Sequence, residues 1–148
     1  MDSALLALAI AFLSGMTMAV QGTLNSALGQ VTGLWEATLI VQGVGLAVAG
    51  VLVFPLGTGS LAKAVQAPWY TWLGGALGVL IVYTVAKSIP KVGVAPATTA
   101  IIVGQVGTAF LLDHLGILGL EKVPFQWSKA LGLLLLAGGA WLLLRQVR

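Results

Sequence analysis

The 148-residue chain contains no cysteine, so it holds no disulfide framework, no thiolate nucleophile and no cysteine-type zinc site. Charge is nearly as scarce: Asp, Glu, Lys and Arg make up 7% of the residues, four acids and seven bases. A soluble domain carries roughly 25% charged residues, because its surface has to be wetted. So few charges cannot clothe a globule of this length, and the apolar surface must face lipid. The bases do not cluster and no basic patch is interleaved with aromatics, so a nucleic-acid partner has no support. Walker A, G-x-S-x-G and H-E-x-x-H patterns are all absent, and no carboxylate pair lies inside an apolar run. An enzyme is disfavoured, and neither a metal nor another cofactor is expected.

What the chain does have is long apolar sequence, with 59% hydrophobic residues. Crossing a hydrocarbon core of about 30 Å takes about 20 helical residues. The fold class expected is therefore all-α integral membrane, with five transmembrane helices at about 3–28, 35–54, 69–86, 94–112 and 127–144. The short connections leave room for a single transmembrane domain over 1–148. The first apolar run follows Met1-Asp2-Ser3, which has no base. A signal peptide needs a basic start, so this run reads as a membrane helix. Expected stops are the stretch Gly29 to Gly33 after the first span and Pro55, Gly57 and Gly59 after the second. Pro90, Lys91 and Gly93 are expected to make a tight turn before the fourth, whose Pro96 occupies its first turn. Trp35, Trp69 and Trp127 fall at span starts, as an interfacial aromatic belt requires, and Arg145 and Arg148 suit headgroup anchors.

Five spans put the termini on opposite sides of the membrane. Lys63, Lys122 and Lys129 then share the N-terminal side, and Lys87, Lys91, Arg145 and Arg148 the other, which accounts for all seven bases. Basic loops stay in the cytoplasm, so a near-even split gives little orientation bias. Insertion both ways round is the reading this favours. One fixed topology, set by helix hydrophobicity or a partner chain, is the alternative.

Lipid supplies no hydrophobic drive between helices, which associate through close packing of small residues. The first span has Gly15, Ala19, Gly22, Ser26 and Gly29 along one face, and the fourth has Gly93, Ala97, Ala100, Gly104 and Gly107. The leucine-rich fifth is expected to be peripheral to a body of four helices, or a subunit contact. Beside the first small face, Ser14, Met18, Gln21 and Asn25 line up at helical spacing. Gln42, Tyr83 and Gln105 add polar groups to the second, third and fourth spans. An amide in hydrocarbon needs a partner, so each should face the bundle interior or a wet cavity. Singly they read as hydrogen-bonding glue between helices; as a set they suggest a polar path. Glu36, Asp113 and His114 are the candidate coupling groups. Glu36 in a first turn fits dipole capping, with proton coupling as the rival role. Asp113 fits capping of the segment after the fourth helix, and His114 lacks a second His or Cys for a metal site.

The ordered polar and glycine positions resemble the drug/metabolite transporter superfamily, in particular its half-size bacterial YdcZ-like inner-membrane family. The matching stretches are Ala19-Val20-Gln21 through Asn25 to Gly29, Pro68-Trp69 with Gly74-Gly75 and Gly78, Gly104-Gln105, Asp113-His114-Leu115-Gly116, and Gly132 with Gly138-Gly139. The resemblance implies a multi-pass protein of the bacterial inner membrane and a five-helix unit equivalent to half of a ten-helix inverted-repeat transporter. It departs from the family at Glu36, where a small or apolar residue would be expected. The central first-helix glutamate of small multidrug-resistance proteins is also missing.

The function expected is secondary transport of small metabolites or drug-like solutes by alternating access, as an antiparallel homodimer or a paired half-transporter in contact with membrane lipid. Gln21, Asn25 and Gln105 are the expected hydrogen-bonding groups for the substrate, with Tyr83 and Trp72 as cavity walls. Rival readings are a scaffold or accessory subunit without transport, and a passive channel.

Overall fold

In a computed structural model of the protein, residues 3–145 are described. Five helices account for most of them: α1 (Ser3–Thr32), α2 (Leu34–Leu56), α3 (Leu73–Val92), α4 (Val94–Leu115) and α5 (Trp127–Leu144). Two 3₁₀ segments, Leu61–Gln66 and Trp69–Trp72, precede α3. No strand occurs among the described residues. All five helices are long and apolar enough to cross a membrane. Lipid offers no partner for a free N–H or C=O, so a spanning segment satisfies its backbone by closing every bond within one helix. Arg148, expected as an anchor, lies outside the described residues.

Where the observed helices differ from the expected spans, that same demand lengthens them. α1 runs through Gly29, Gln30 and Val31 to Thr32 instead of stopping at the polar-glycine stretch. The break is a single residue, Gly33, with φ +101° and ψ 152°, a conformation that only glycine holds at low cost. α2 includes Pro55 and ends at Leu56, and α3 includes Pro90 and ends at Val92. Proline removes one N–H and crowds the carbonyl four residues back. At Pro90 the affected carbonyl is that of Ala86, and the rest of the ladder is kept, so no turn opens there. Gly93, with φ +90°, is the one residue between α3 and α4. α4 extends through Asp113 and His114 to Leu115 and ends on left-handed Gly116, whose N–H bonds the Leu112 carbonyl at 2.9 Å.

The chain divides between Lys91 and Val92 into two compact units. In the second of them α4 packs with α5. In the first unit α1 packs on α2 around the Gly33 break, and α1 meets α3 at Gly22, where an added Cβ would lie 2.9 Å from Val85 Cγ1 and 3.3 Å from Ile89 Cδ1. The buried positions are small or slender: Gly22, Asn25, Ser26 and Gly29 on α1, Ala37 and Thr38 on α2, Val82, Ala86 and Ile89 on α3. Only part of the small face of α1 is thus engaged. Gly15 has nothing within 4 Å of a notional Cβ, so the N-terminal half of α1 stands clear of the unit.

In the second unit the α4–α5 connection folds back onto α4. The N–H of Val123 donates to the Asp113 carbonyl at 2.8 Å, and Lys122 closes over Gly116. Phe125 then seats edge-on between Phe110, His114 and Trp127, with centroid distances of 5.8, 6.2 and 5.1 Å.

Candidate functional site

Ten-odd hydroxyl groups lie along the helices, and most of them look after themselves. Ser14, Thr17, Thr23, Thr32, Thr38, Thr84, Ser88 and Thr99 each donate to the carbonyl four residues back. This is the cheapest way to carry a hydroxyl through hydrocarbon. Ser26 does not do so: its Oγ is buried and meets no hydrogen-bond partner. It lies on the packed side of α1, four residues after Gly22 and three before Gly29. Its neighbour Asn25 is only 6% exposed. The first unit therefore concentrates polar groups where α1 is packed tightest.

Of the residues expected to contact substrate, Asn25 is in that buried set, whereas Gln21, one turn earlier, is exposed. The amides are four apart, yet the helix carries Asn25 into the packed region and leaves Gln21 at its open margin. Gln42 of α2 reaches across to α3, where an added Cβ on Gly78 would lie 3.4 Å from its Nε2. Gly78 thus supplies the space this amide fills. Gln105 stands exposed on α4, with Gly104 and Gly107 beside it carrying nothing within 4 Å of a notional Cβ.

Tyr83, half-buried on α3, is where aromatic surface gathers. Trp35 from the first turn of α2 stacks on it, with ring centroids 4.4 Å apart and planes inclined by 27°. One turn further along α3, Lys87 places its Nζ 5.5 Å from the centre of the Tyr83 ring. The pairing follows from position: Trp35 opens α2 just after the Gly33 break, and Tyr83 and Lys87 are four apart on the facing helix. Trp72, the other expected cavity wall, belongs to the 3₁₀ segment before α3 and is 63% exposed. It lies eleven positions before Tyr83, about three helical turns. Trp35, Lys87 and Ser26 are the members of this region that sequence reasoning did not assign to a site. The Tyr83–Lys87 spacing was a readable signal; the partnership with Trp35 was not.

The titratable candidates occupy helix ends. Glu36 sits in the first turn of α2 and turns its carboxylate onto Gly33, so that it meets the positive end of the helix without a side-chain cap at Gly33 itself. Asp113 lies in the last turn of α4 and uses its carbonyl, not its carboxylate, to hold the following segment. His114 packs on Phe125 with its Nδ1 buried and without a partner. Among the described residues no three His, Asp or Glu side chains come together in a way that could hold a metal ion.

A family model described as "Putative inner membrane exporter, YdcZ" matches residues 6–142. A search of curated proteins and a search of solved structures returned no match.

Proposed function

The chain belongs to the YdcZ family of inner membrane exporters, a multi-pass membrane transporter kind and not an enzyme kind, and from that premise we propose a secondary transporter that works by alternating access. Two five-helix chains pair antiparallel, as inverted repeats do, around a polar seam near the midplane. Small metabolites or drug-like solutes occupy that seam. Inward-open and outward-open states are then one structure seen from opposite sides, so exchange between them costs little free energy.

The observation that carries this reading is the exposure of Gln21 and Gln105 on apolar spanning helices. An unpartnered amide in hydrocarbon costs several kcal/mol, about 4–8 by transfer to an alkane. Each group therefore calls for a polar partner beyond the helices packed in its own unit, and a second copy, water or a solute would supply it. Asn25 on α1 and Tyr83 on α3 complete the proposed lining; Trp72 would serve nearer the other end of α3. Glu36, Asp113 and His114 remain the groups through which an ion gradient would couple, Glu36 foremost because it opens α2 next to Trp35.

The test is flux in reconstituted vesicles. Gln21→Leu with Gln105→Leu should abolish saturable exchange while the protein still folds and assembles. Retention of full exchange would overturn the reading, and uncoupled conductance would assign a channel instead. Because the chain has no cysteine, a single cysteine added at either end labels that end alone. Antiparallel pairing by dual insertion requires each end to label from both sides; one-sided labelling removes it.

A further inference from the structure

We infer that Trp35, Tyr83 and Lys87 form a subsite for an organic anion with a flat apolar body, of the aromatic-carboxylate class. The inference rests on the carrier reading above and adds the chemical class of the solute.

Trp35 has one face against Tyr83, yet 64% of its surface is open. What it leaves accessible is therefore its other face and its edges, a platform suited to a planar apolar group. An aromatic face by itself would favour a cation. Here the chain's own Lys87 ammonium already lies over the Tyr83 ring at 5.5 Å. A cationic solute would meet that like charge. Of the four acids, Asp2, Glu36, Asp113 and Glu121, Glu36 is the one next to Trp35 in the chain, and its carboxylate is turned onto Gly33. Glu36 stands in the first turn of α2, Asp113 in the last turn of α4, and Glu121 in the connection before α5.

An anion finds the opposite conditions. Lys87 is exposed and Lys91 follows it by one turn on α3. The first amides of α2 begin one residue before Trp35, and Gly33 offers them no side-chain cap. Helix N-termini of this kind favour negative charge. Glu36 is the chain's own carboxylate at that place, turned onto Gly33, and it competes with an incoming anion. The charged groups to reckon with are thus Lys87, over the Tyr83 ring, Lys91 one turn further along α3, and Glu36 beside Trp35 on α2. The negative group itself could come from a free solute or from an anionic lipid headgroup; the stacked rings favour the free solute, because a headgroup presents no flat apolar body to them.

The experiment measures equilibrium binding of radiolabelled indole-3-acetate and its neutral isostere indole-3-acetamide to the full chain in phosphatidylcholine nanodiscs. The acid should bind about tenfold tighter, the equivalent of about 1.4 kcal/mol. Lys87→Gln should remove that preference while leaving amide binding unchanged, and Lys87→Arg should keep it. Trp35→Ala should weaken both probes about fivefold, the scale of one lost aromatic contact. Glu36→Gln should tighten the acid and not the amide, and Lys63→Gln, far along the chain in a 3₁₀ segment, should change neither. Equal affinity for the two probes, or a Lys87→Gln protein of native circular dichroism that keeps the preference, overturns the inference. Repetition in phosphatidylglycerol nanodiscs separates the sources: retained acid binding supports the solute site, and its loss assigns the site to lipid and overturns it. Binding needs no gradient, so the two readings fail separately. Absent probe binding with other solutes still exchanged removes only the subsite, and probe binding without flux of any solute removes only the carrier.

Discussion

Gly33→Ala tests the device that sets α2 against α1. Gly33 is the only residue between the two helices and holds φ +101° with ψ 152°. That region is essentially restricted to glycine, and a residue with a Cβ forced into it costs about 1–3 kcal/mol. The Cβ would also meet the Glu36 carboxylate, but that contact is with the far end of a flexible side chain, which can swing away. The cost thus lies in the backbone, and about 2 kcal/mol is the expected loss. In a chain of this length that lowers the unfolding midpoint by about 4–8 °C, at roughly 2–4 °C per kcal/mol. Intrinsic tryptophan fluorescence of purified protein during a thermal scan reads the shift. The same chemical change at Gly50, inside α2 with nothing within 4 Å of a notional Cβ, should act with the opposite sign. Helix propensity there favours alanine by about 1 kcal/mol, a gain of a few degrees. The double variant Gly33→Ala with Glu36→Ala should stay as low as Gly33→Ala alone. A midpoint within a degree of the unmodified protein, or recovery on removing Glu36, would refute the reasoning.

Gly116→Ala should destabilise the second unit by about 2–3 kcal/mol, because it adds left-handed strain to contacts of 2.8 Å with Lys122 Cβ and 3.0 Å with its Cα; limited proteolysis of the 116–126 connection should show it as faster cleavage. Phe125→Ala, which empties the slot between Phe110, His114 and Trp127, should cost about 2 kcal/mol in the same thermal scan, below a full core truncation because Phe125 is 45% exposed. Ser26→Ala should be neutral or stabilising by up to about 1 kcal/mol, since it deletes a buried hydroxyl without a partner. If that variant also loses exchange activity, the hydroxyl is spent on the solute; if it destabilises, Ser26 has a structural partner and its assignment to the polar set fails.

Membrane residence, helix number and helix type were legible in the residues alone. They follow from mean composition and from the demand that every backbone group in lipid be bonded, and neither depends on which helix meets which. The same demand explains the errors at the ends. Pro90 and the Gly29–Gly33 stretch carry local stop signals, yet α3 and α1 run on, because in hydrocarbon a broken ladder costs more than an unfavourable residue. The α5 boundaries were readable because Gln126 and Arg145 mark true changes from apolar to polar sequence. The site was legible only as a census of polar side chains. Spacing along one helix put Gln21 and Asn25 together, but packing separated them into an exposed and a buried amide. Nothing local to Trp35 or Tyr83 announces their stack: they are 48 positions apart in the chain, and they meet because Gly33 turns α2 back and because Gly22 and Gly78 let neighbours approach α1 and α3 closely. One-dimensional periodicity records which way a side chain leaves its own helix. Which partner it finds there is decided by the approach of a second helix, and that is a property of the folded chain.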